Sequence, residues 1–128
     1  MTRFSLTLSE IISNTTIPVW ELNINNKSLF NEFAEKVSKN DLMFSKLAGA
    51  VKIIEHSCNM IRLPKTKFRV ISGSLNLYEV KKGALRVYLF HEEKKGRVII
   101  TGGMKGTQKE DIERMKNIIN DYYGERRY

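Results

Sequence analysis

The sequence predicts a single α+β domain, in which a small antiparallel sheet carries a helical pair after its first strand and a third helix at its end (β-α-α-β-β-β-α). Residues 75–102 alternate apolar and polar side chains between turn signals, which is typical of strands with one face in a core. Residues 28–38, residues 41–58 and the stretch from Thr107 onward repeat apolar side chains at helical spacing instead. A chain of 128 residues is long enough for one domain and short for two, so we expect a single domain over 1–128.

The N-terminal half supplies the first strand and the helical pair. In residues 1–16, Phe4, Leu6 and Leu8 alternate as in a strand, while Leu8, Ile11 and Ile12 suit a short helix, and we treat the stretch as an extension of unknown role. Residues 17–24 (IPVWELNI) are predicted to form the first strand. The two helices are separated by a break at Asn40-Asp41, and each has one apolar stripe, so we expect an antiparallel hairpin that packs against the sheet.

The C-terminal half begins with residues 59–74, which are basic and contain Pro64 and Gly73, and which we interpret as an irregular connection. Three strands follow as an antiparallel meander, at about 75–81, 84–91 and 97–102, with turns at Lys82-Gly83 and Glu93–Gly96. Thr107 and Glu110 have the spacing of a capping box at the start of the last helix, and Gly124 is the expected residue after its end.

The composition is that of a folded, water-soluble protein, with 41% hydrophobic and 28% charged residues. No stretch approaches the roughly 18 consecutive apolar residues of a membrane helix, and the N-terminus lacks the apolar run of a signal peptide. The single cysteine, Cys58, excludes an internal disulfide and fits a reducing compartment. We therefore expect a cytoplasmic protein without a membrane partner.

The net charge of +8 is placed unevenly along the chain. Residues 1–59 hold six Lys or Arg and six Asp or Glu, whereas residues 60–128 hold sixteen and eight. An excess confined to one half favours a surface that binds a polyanion, with nucleic acid the leading candidate. On charge alone, a basic surface that only aids solubility is about equally consistent with this distribution.

The motifs that would indicate metal or nucleotide chemistry are missing from the sequence. His56 and His91 have no Cys, His or acidic partner at ligand spacing, and Gly102-Gly103 lacks the context of a phosphate-binding loop. No Ser or Cys has the arrangement of an activated nucleophile. We therefore expect neither a metal nor another cofactor.

Cations remain as the candidate site, in residues 75–109. We expect them to gather where two strands meet the start of the last helix, whose free amides attract anions: Lys81, Lys82, Arg86, Lys105 and Lys109. Such a site could stabilise the transition state when an RNA 2′-hydroxyl attacks its own phosphodiester, with Tyr122 or Tyr123 as a base or a stacking ring. The alternative is that the cations only hold phosphate and that both tyrosines pack in the core.

Several short motifs resemble the RelE/HigB family of toxin–antitoxin ribonucleases. The family's "LYELR", "YRVFY"-like and "hGF-KKT" motifs and its C-terminal aromatic correspond to Leu77–Lys81, Leu85–Tyr88, Gly103–Thr107 and Asp121–Tyr123. The predicted element order is also similar to the family's. By this resemblance the fold is RelE-like, and the protein cleaves mRNA in the ribosomal A site and is silenced by a cognate antitoxin protein.

The resemblance also implies roles for individual residues. Arg86 would contact phosphate, while Lys81 and Lys105 would take the basic places of the preceding strand and the turn. Asp121, Tyr122 or Tyr123 would supply the C-terminal role; Tyr122 is the catalytic candidate among them, and the motif does not decide between the three. Further RNA or phosphate contacts are expected from the remaining basic and aromatic candidates: Lys67, Arg69, Lys82, Tyr88 and Lys109.

Three positions depart from the family pattern. Met104 replaces a Phe, Gly106 replaces the second basic residue of the turn, and Lys81 replaces an arginine that could hold phosphate with two hydrogen bonds. The last two are expected to weaken phosphate stabilisation. Two alternatives remain, namely a gyrase-poisoning toxin of the ParE branch and a non-catalytic RNA-binding module.

Overall fold

The computed structural model describes residues 3–126, with side chains from 3 to 125, and has an α+β architecture as predicted. The strands are β1 (Phe4–Leu8), β2 (Val19–Ile24), β3 (Lys27–Ser28), β4 (Phe68–Ser72), β5 (Leu77–Lys82), β6 (Leu85–Glu92) and β7 (Gly96–Met104). The helices are α1 (Leu29–Val37), α2 (Asp41–Cys58) and α3 (Gln108–Arg126), and a 3-10 turn at Lys105–Thr107 precedes α3.

All seven strands belong to one sheet, in the order β1-β2-β7-β6-β5-β4, with β3 paired to β2. The prediction of a purely antiparallel sheet is wrong at one place, because β2 runs parallel to β7, with Val19 opposite Arg97. Parallel neighbours need a long connection. Here the connection between β2 and β7 contains β3, the two helices α1 and α2, and the strands β4, β5 and β6.

The predicted element order is wrong in that three strands, not one, precede the helical pair. β1 lies within the predicted extension and pairs along its whole length with β2, from Phe4 opposite Ile24 to Leu8 opposite Trp20. β4 lies within the segment predicted to be irregular and forms the far edge of the sheet beside β5. Both are short strands at the edges of the sheet, where each needs only one neighbouring strand.

The helical pair begins at side-chain caps. The hydroxyl of Ser28 accepts a hydrogen bond from the amide of Asn31 at 3.1 Å, and the side chain of Asn40 accepts one from the amide of Met43 at 3.1 Å. These bonds satisfy amides that have no partner inside a helix. They fix the start of α1 and of α2, and α2 occupies the predicted residues 41–58.

Helices cover both faces of the sheet. One core lies beneath α1 and α2 and includes Val87 and Leu89 of β6, whereas the other lies beneath α3 and includes Tyr88 and Phe90 of the same strand. Alternate residues of a strand point to opposite faces. We refer to these as the α1/α2 face and the α3 face.

The start and end of α3 differ from the prediction. The hydroxyl of Thr107 donates to Oδ2 of Asp111 at 2.7 Å and does not accept from a backbone amide, so the predicted capping box with Glu110 is not formed among the described residues. Gly124 lies inside the helix, not beyond its end. Within residues 3–126, no helix combines the length and the apolar character needed to cross a bilayer.

Candidate functional site

The register of the sheet sets two polar rows side by side on the α3 face. In the first row Lys81 of β5 lies opposite Arg86 of β6, and Arg86 lies opposite Gly103 of β7. The amide of Lys81 also donates to the carbonyl of Lys67 at 2.9 Å, so Lys67 continues the row at the exposed edge. A meander with tight turns brings these residues together although they are spread along the chain.

The second row centres on Glu79. Its partners across the sheet are Arg69 on β4 and Tyr88 on β6. Glu79 is fully buried, and its Oε1 accepts from Nε of Arg69 at 2.9 Å while its Oε2 accepts from Nε2 of Gln108 at 2.7 Å. A buried carboxylate requires such partners. Glu79 therefore joins β4, β5 and the first residue of α3.

Tyr88 lies beside this carboxylate and is completely buried. Its hydroxyl makes no well-aligned hydrogen bond within the described part of the chain. Burial raises the pKa of Tyr88 well above its usual range, the charges of Glu79 and Asp111 raise it further, and Arg86 opposes them. The hydroxyl therefore keeps its proton at neutral pH and can act only as a donor or a neutral acceptor.

Arg86 is folded back over the β5–β6 turn. Its Nη1 donates to the carbonyls of Gly83 at 2.8 Å and Leu85 at 3.1 Å, and the residue is only 5% exposed. Its Nε is buried and has no hydrogen-bond partner among residues 3–125. Nη1 of Arg86 thus stabilises the β5–β6 turn, so fewer of the guanidinium N–H groups are left to bind a phosphate.

Asp111 closes the first row from the side of α3. A Cβ atom on Gly103 would overlap Oδ2 of Asp111, so this carboxylate lies directly over the backbone of β7. Gly103 is the cross-strand partner of Arg86, and the same Cβ would lie 3.8 Å from the Tyr88 ring. We call this set the α3-face cluster: Arg69, Glu79, Lys81, Arg86, Tyr88, Gln108 and Asp111.

Lys105 and Lys109 are exposed at the rim of the α3-face cluster. The amide of Lys105 donates to the carbonyl of Ala84 at 2.8 Å, which ties the 3-10 turn to the β5–β6 turn. Lys109 is the second residue of α3. The positive end of the helix dipole adds to the field of these cations.

Two predicted site residues lie elsewhere. Lys82 points to the α1/α2 face, where a Cβ on Gly49 of α2 would lie 2.7 Å from its Cε. Lys82 directly follows Lys81 in a strand, so the two side chains must diverge. The predicted grouping of Lys82 with the other cations is therefore corrected.

Tyr122 is the second correction. It is 2% exposed and packs edge-on against Phe4 and Phe90, at ring-centroid distances of 6.0 and 5.5 Å. It follows Asp111 by three helical turns, or about 16 Å along the axis of α3, so it lies far from the start of that helix. Asp121 pairs instead with Arg3 at 3.3 Å, and Tyr123 packs against Phe90 and Tyr122.

Sequence reasoning missed the acidic part of the site, Glu79 and Asp111, together with Gln108. One signal was available, because Glu79 occupies an inward position of β5, two residues after the buried Leu77. A charged residue at a core-facing position is rarely without a partner. Asp111 had no such signal, since its place depends on how α3 crosses β7.

The structure thus defines an α+β protein with a polar cluster of both charges between a sheet and the start of a helix. No protein-family model matches the chain, and no curated protein matches it. The RelE/HigB resemblance therefore stays a prediction that rests on its motifs.

Proposed function

We propose that the protein is the toxin of a toxin–antitoxin pair, an endoribonuclease of the RelE/HigB kind that cleaves ribosome-bound mRNA without a metal or other cofactor. The observation that carries the proposal is the direct cross-strand pairing of Lys81 with Arg86, beside the basic turn and the start of α3. An RNA phosphodiester at this rim would meet cations from two strands and a helix end.

In this reaction the 2′-hydroxyl oxygen of one nucleotide attacks the neighbouring phosphorus, and the bond to the 5′-oxygen of the next nucleotide breaks. The negative charge that develops on the phosphorane is stabilised by fixed cations, for which Lys81, Arg86 and Lys105 are the candidates. Arg69 is held by Glu79, and Lys67 lies at the sheet edge, so both can extend phosphate binding along the RNA.

The proposed biological setting follows from the resemblance. A cognate antitoxin would bind the protein and silence it, and the substrate would be mRNA on the ribosome in the cytoplasm. Gly106 leaves the turn with one basic residue, and a Cβ there would meet no atom within 4 Å, so Gly106→Lys is a structurally tolerated substitution. We expect this substitution to increase cleavage.

The experiment compares two adjacent lysines on opposite faces of β5. The protein is expressed from an inducible promoter, and mRNA 5′ ends are mapped with translation running or blocked. We expect translation-dependent cuts that fall at least about tenfold in Lys81→Ala, because a charge that stabilises the transition state is lost. Lys82→Ala should cut like the wild type, since its side chain lies over α2.

Growth arrest with an intact message pool would refute the ribonuclease proposal. Arrest accompanied by DNA damage would indicate the gyrase-poisoning branch instead. Equal losses in Lys81→Ala and Lys82→Ala would show that the α3-face cluster is not the place where cleavage occurs.

A non-catalytic RNA-binding module is the second candidate, and one observation favours it. Nη1 of Arg86 donates to the carbonyls of Gly83 and Leu85, so it is already bonded within the protein. The same guanidinium is the group expected to stabilise the phosphorane. Such a module would bind RNA with an affinity that falls steeply with salt. It would produce no cuts and would tolerate the loss of any single cation.

A further inference from the structure

Attack by a 2′-hydroxyl requires a group that takes its proton, and the residue predicted for this purpose is buried in the core. Tyr122 is buried against Phe4 and Phe90. Tyr88 lies in the α3-face cluster, but its raised pKa keeps the phenol protonated. Both oxygens of Glu79 already accept hydrogen bonds, from Arg69 and Gln108, beneath the surface.

Asp111 differs from these groups in its accessibility and its bonding. It is partly exposed, on the first turn of α3. Its Oδ2 accepts from the Thr107 hydroxyl at 2.7 Å, whereas no hydrogen bond engages its Oδ1 in residues 3–125. The Thr107 bond fixes the carboxylate and leaves the second oxygen to accept a proton.

The position of Asp111 over β7 sets it next to the proposed phosphate contacts. Gly103, whose missing Cβ leaves room for the carboxylate, lies opposite Arg86, and Arg86 lies opposite Lys81. The charges of Asp111, Arg86 and Glu79 all act on the pKa of Tyr88, which places these groups around the same phenol. A base and a phosphate-binding cation are thus held on adjoining elements.

We propose that Asp111 accepts the proton of the attacking 2′-hydroxyl in the α3-face cluster, an inference that rests on the ribonuclease function proposed above. As the 2′-oxygen–phosphorus bond forms, the hydroxyl proton passes to Oδ1 of Asp111. The phosphorus–5′-oxygen bond breaks, and the departing 5′-oxygen takes a proton from water. The products are a 2′,3′-cyclic phosphate and a 5′-hydroxyl, and Asp111 returns its proton to solvent.

The experiment measures single-turnover cleavage of a defined mRNA on programmed ribosomes at neutral pH, together with binding of the protein to the same complex. Asp111→Asn keeps the shape of the side chain but cannot take the proton. We expect it to cleave about 100-fold more slowly or worse. Its binding to the same complex should change less than about twofold, because the side chain keeps its size and shape.

Three further variants distinguish the loss of the proton acceptor from a general loss of structure. Glu110→Gln is the matched control, because Glu110 is an exposed carboxylate beside Asp111, and it should cleave at the wild-type rate. Gly103→Ala retains every charged group but places a methyl where the Asp111 carboxylate lies. Gly103→Ala should slow cleavage while the RNA still binds. Asp111→Glu keeps a carboxylate at this position and should retain part of the cleavage rate that Asp111→Asn loses.

The outcomes distinguish the two proposals. Cleavage by the wild type together with an unchanged rate in Asp111→Asn would overturn the role of Asp111 and leave the ribonuclease proposal intact. A loss of binding equal to the loss of cleavage would also overturn it, since the residue would then act only in holding RNA. A wild-type protein that yields no cyclic phosphate ends would refute both.

Discussion

The two faces of the sheet use the same strand in different ways. β6 sends Leu85, Val87 and Leu89 to the α1/α2 face, where all three are fully buried in an apolar core. It sends Arg86, Tyr88 and Phe90 to the α3 face, where only the end near Phe90 is apolar. The α1/α2 face therefore contributes mainly to stability through apolar packing. The α3 face packs in the same way near Phe90 but carries the α3-face cluster of charged and polar groups at its other end.

Adjacent glycines on β7 show the same division. A Cβ on Gly102 would collide with the ring of Phe33 on α1, whereas a Cβ on Gly103 would collide with the carboxylate of Asp111 on α3. The first collision would disturb apolar packing and the second would displace a charged group. Gly102→Ala is therefore expected to lower stability, and Gly103→Ala to lower activity.

The largest expected effect comes from the apolar face. Leu89→Ala should lower the free energy of unfolding by about 3–4 kcal/mol, because the side chain is fully buried and leaves a cavity. Urea denaturation followed by circular dichroism measures the change. RNA binding by the fraction that remains folded should be unchanged. A loss of binding in that fraction would contradict the view that the α1/α2 face contributes stability alone.

A smaller loss is expected from the polar end of the α3 face. Glu79→Ala should lower the free energy of unfolding by about 2–3 kcal/mol, because Gln108 and Arg69 lose their buried acceptor. Arg69 is 37% exposed and can turn toward water, which limits the cost. In a double-mutant cycle, Arg69→Ala combined with Glu79→Ala should cost less than the two separate losses added together. Strict additivity would mean that the ion pair contributes nothing.

The smallest effect is a pH dependence on the α1/α2 face. Burial lowers the pKa of His91, the charge of Arg97 lowers it further, and Glu93 and Glu92 oppose the shift. Below its ordinary value of 6.5 the unfolded chain therefore binds a proton that the folded protein does not. Stability is lost as the pH falls through this region, so the urea midpoint should be lower at pH 5.5 than at pH 7.5. In His91→Gln this difference should shrink, and an unchanged difference would assign it to other groups.

Strong local patterns predicted much of the fold. α2 occupies residues 41–58 because its apolar stripe is long and Asn40 caps it. The β5–β6 turn was predictable from Lys82-Gly83, where Gly83 adopts a φ of +59°. β1 was missed because Leu8, Ile11 and Ile12 also suit a helix, and β4 because its basic segment contains Pro64 and Gly73. The parallel pairing of β2 with β7 depends on a crossover that no local pattern records.

The candidate site divides in the same way. The pairing of Lys81 with Arg86 was within reach of sequence reasoning, because the tight turn between them fixes the register. The same strand periodicity separates Lys82 from Lys81, and this consequence was overlooked. Glu79 and Asp111 were missed because their partners, Gln108 and Gly103, come from other parts of the chain.

The parallel contact between β2 and β7 has a consequence for how the protein folds. β5, β6 and β7 are joined by short turns, so they can pair by closing only small loops. β2 pairs with β7, which is far away in sequence, so this contact requires closure of a long loop. We expect the meander with α3 to assemble early in refolding, and β1 with β2 to dock last. Substitutions in β2 should therefore accelerate unfolding far more than they slow folding.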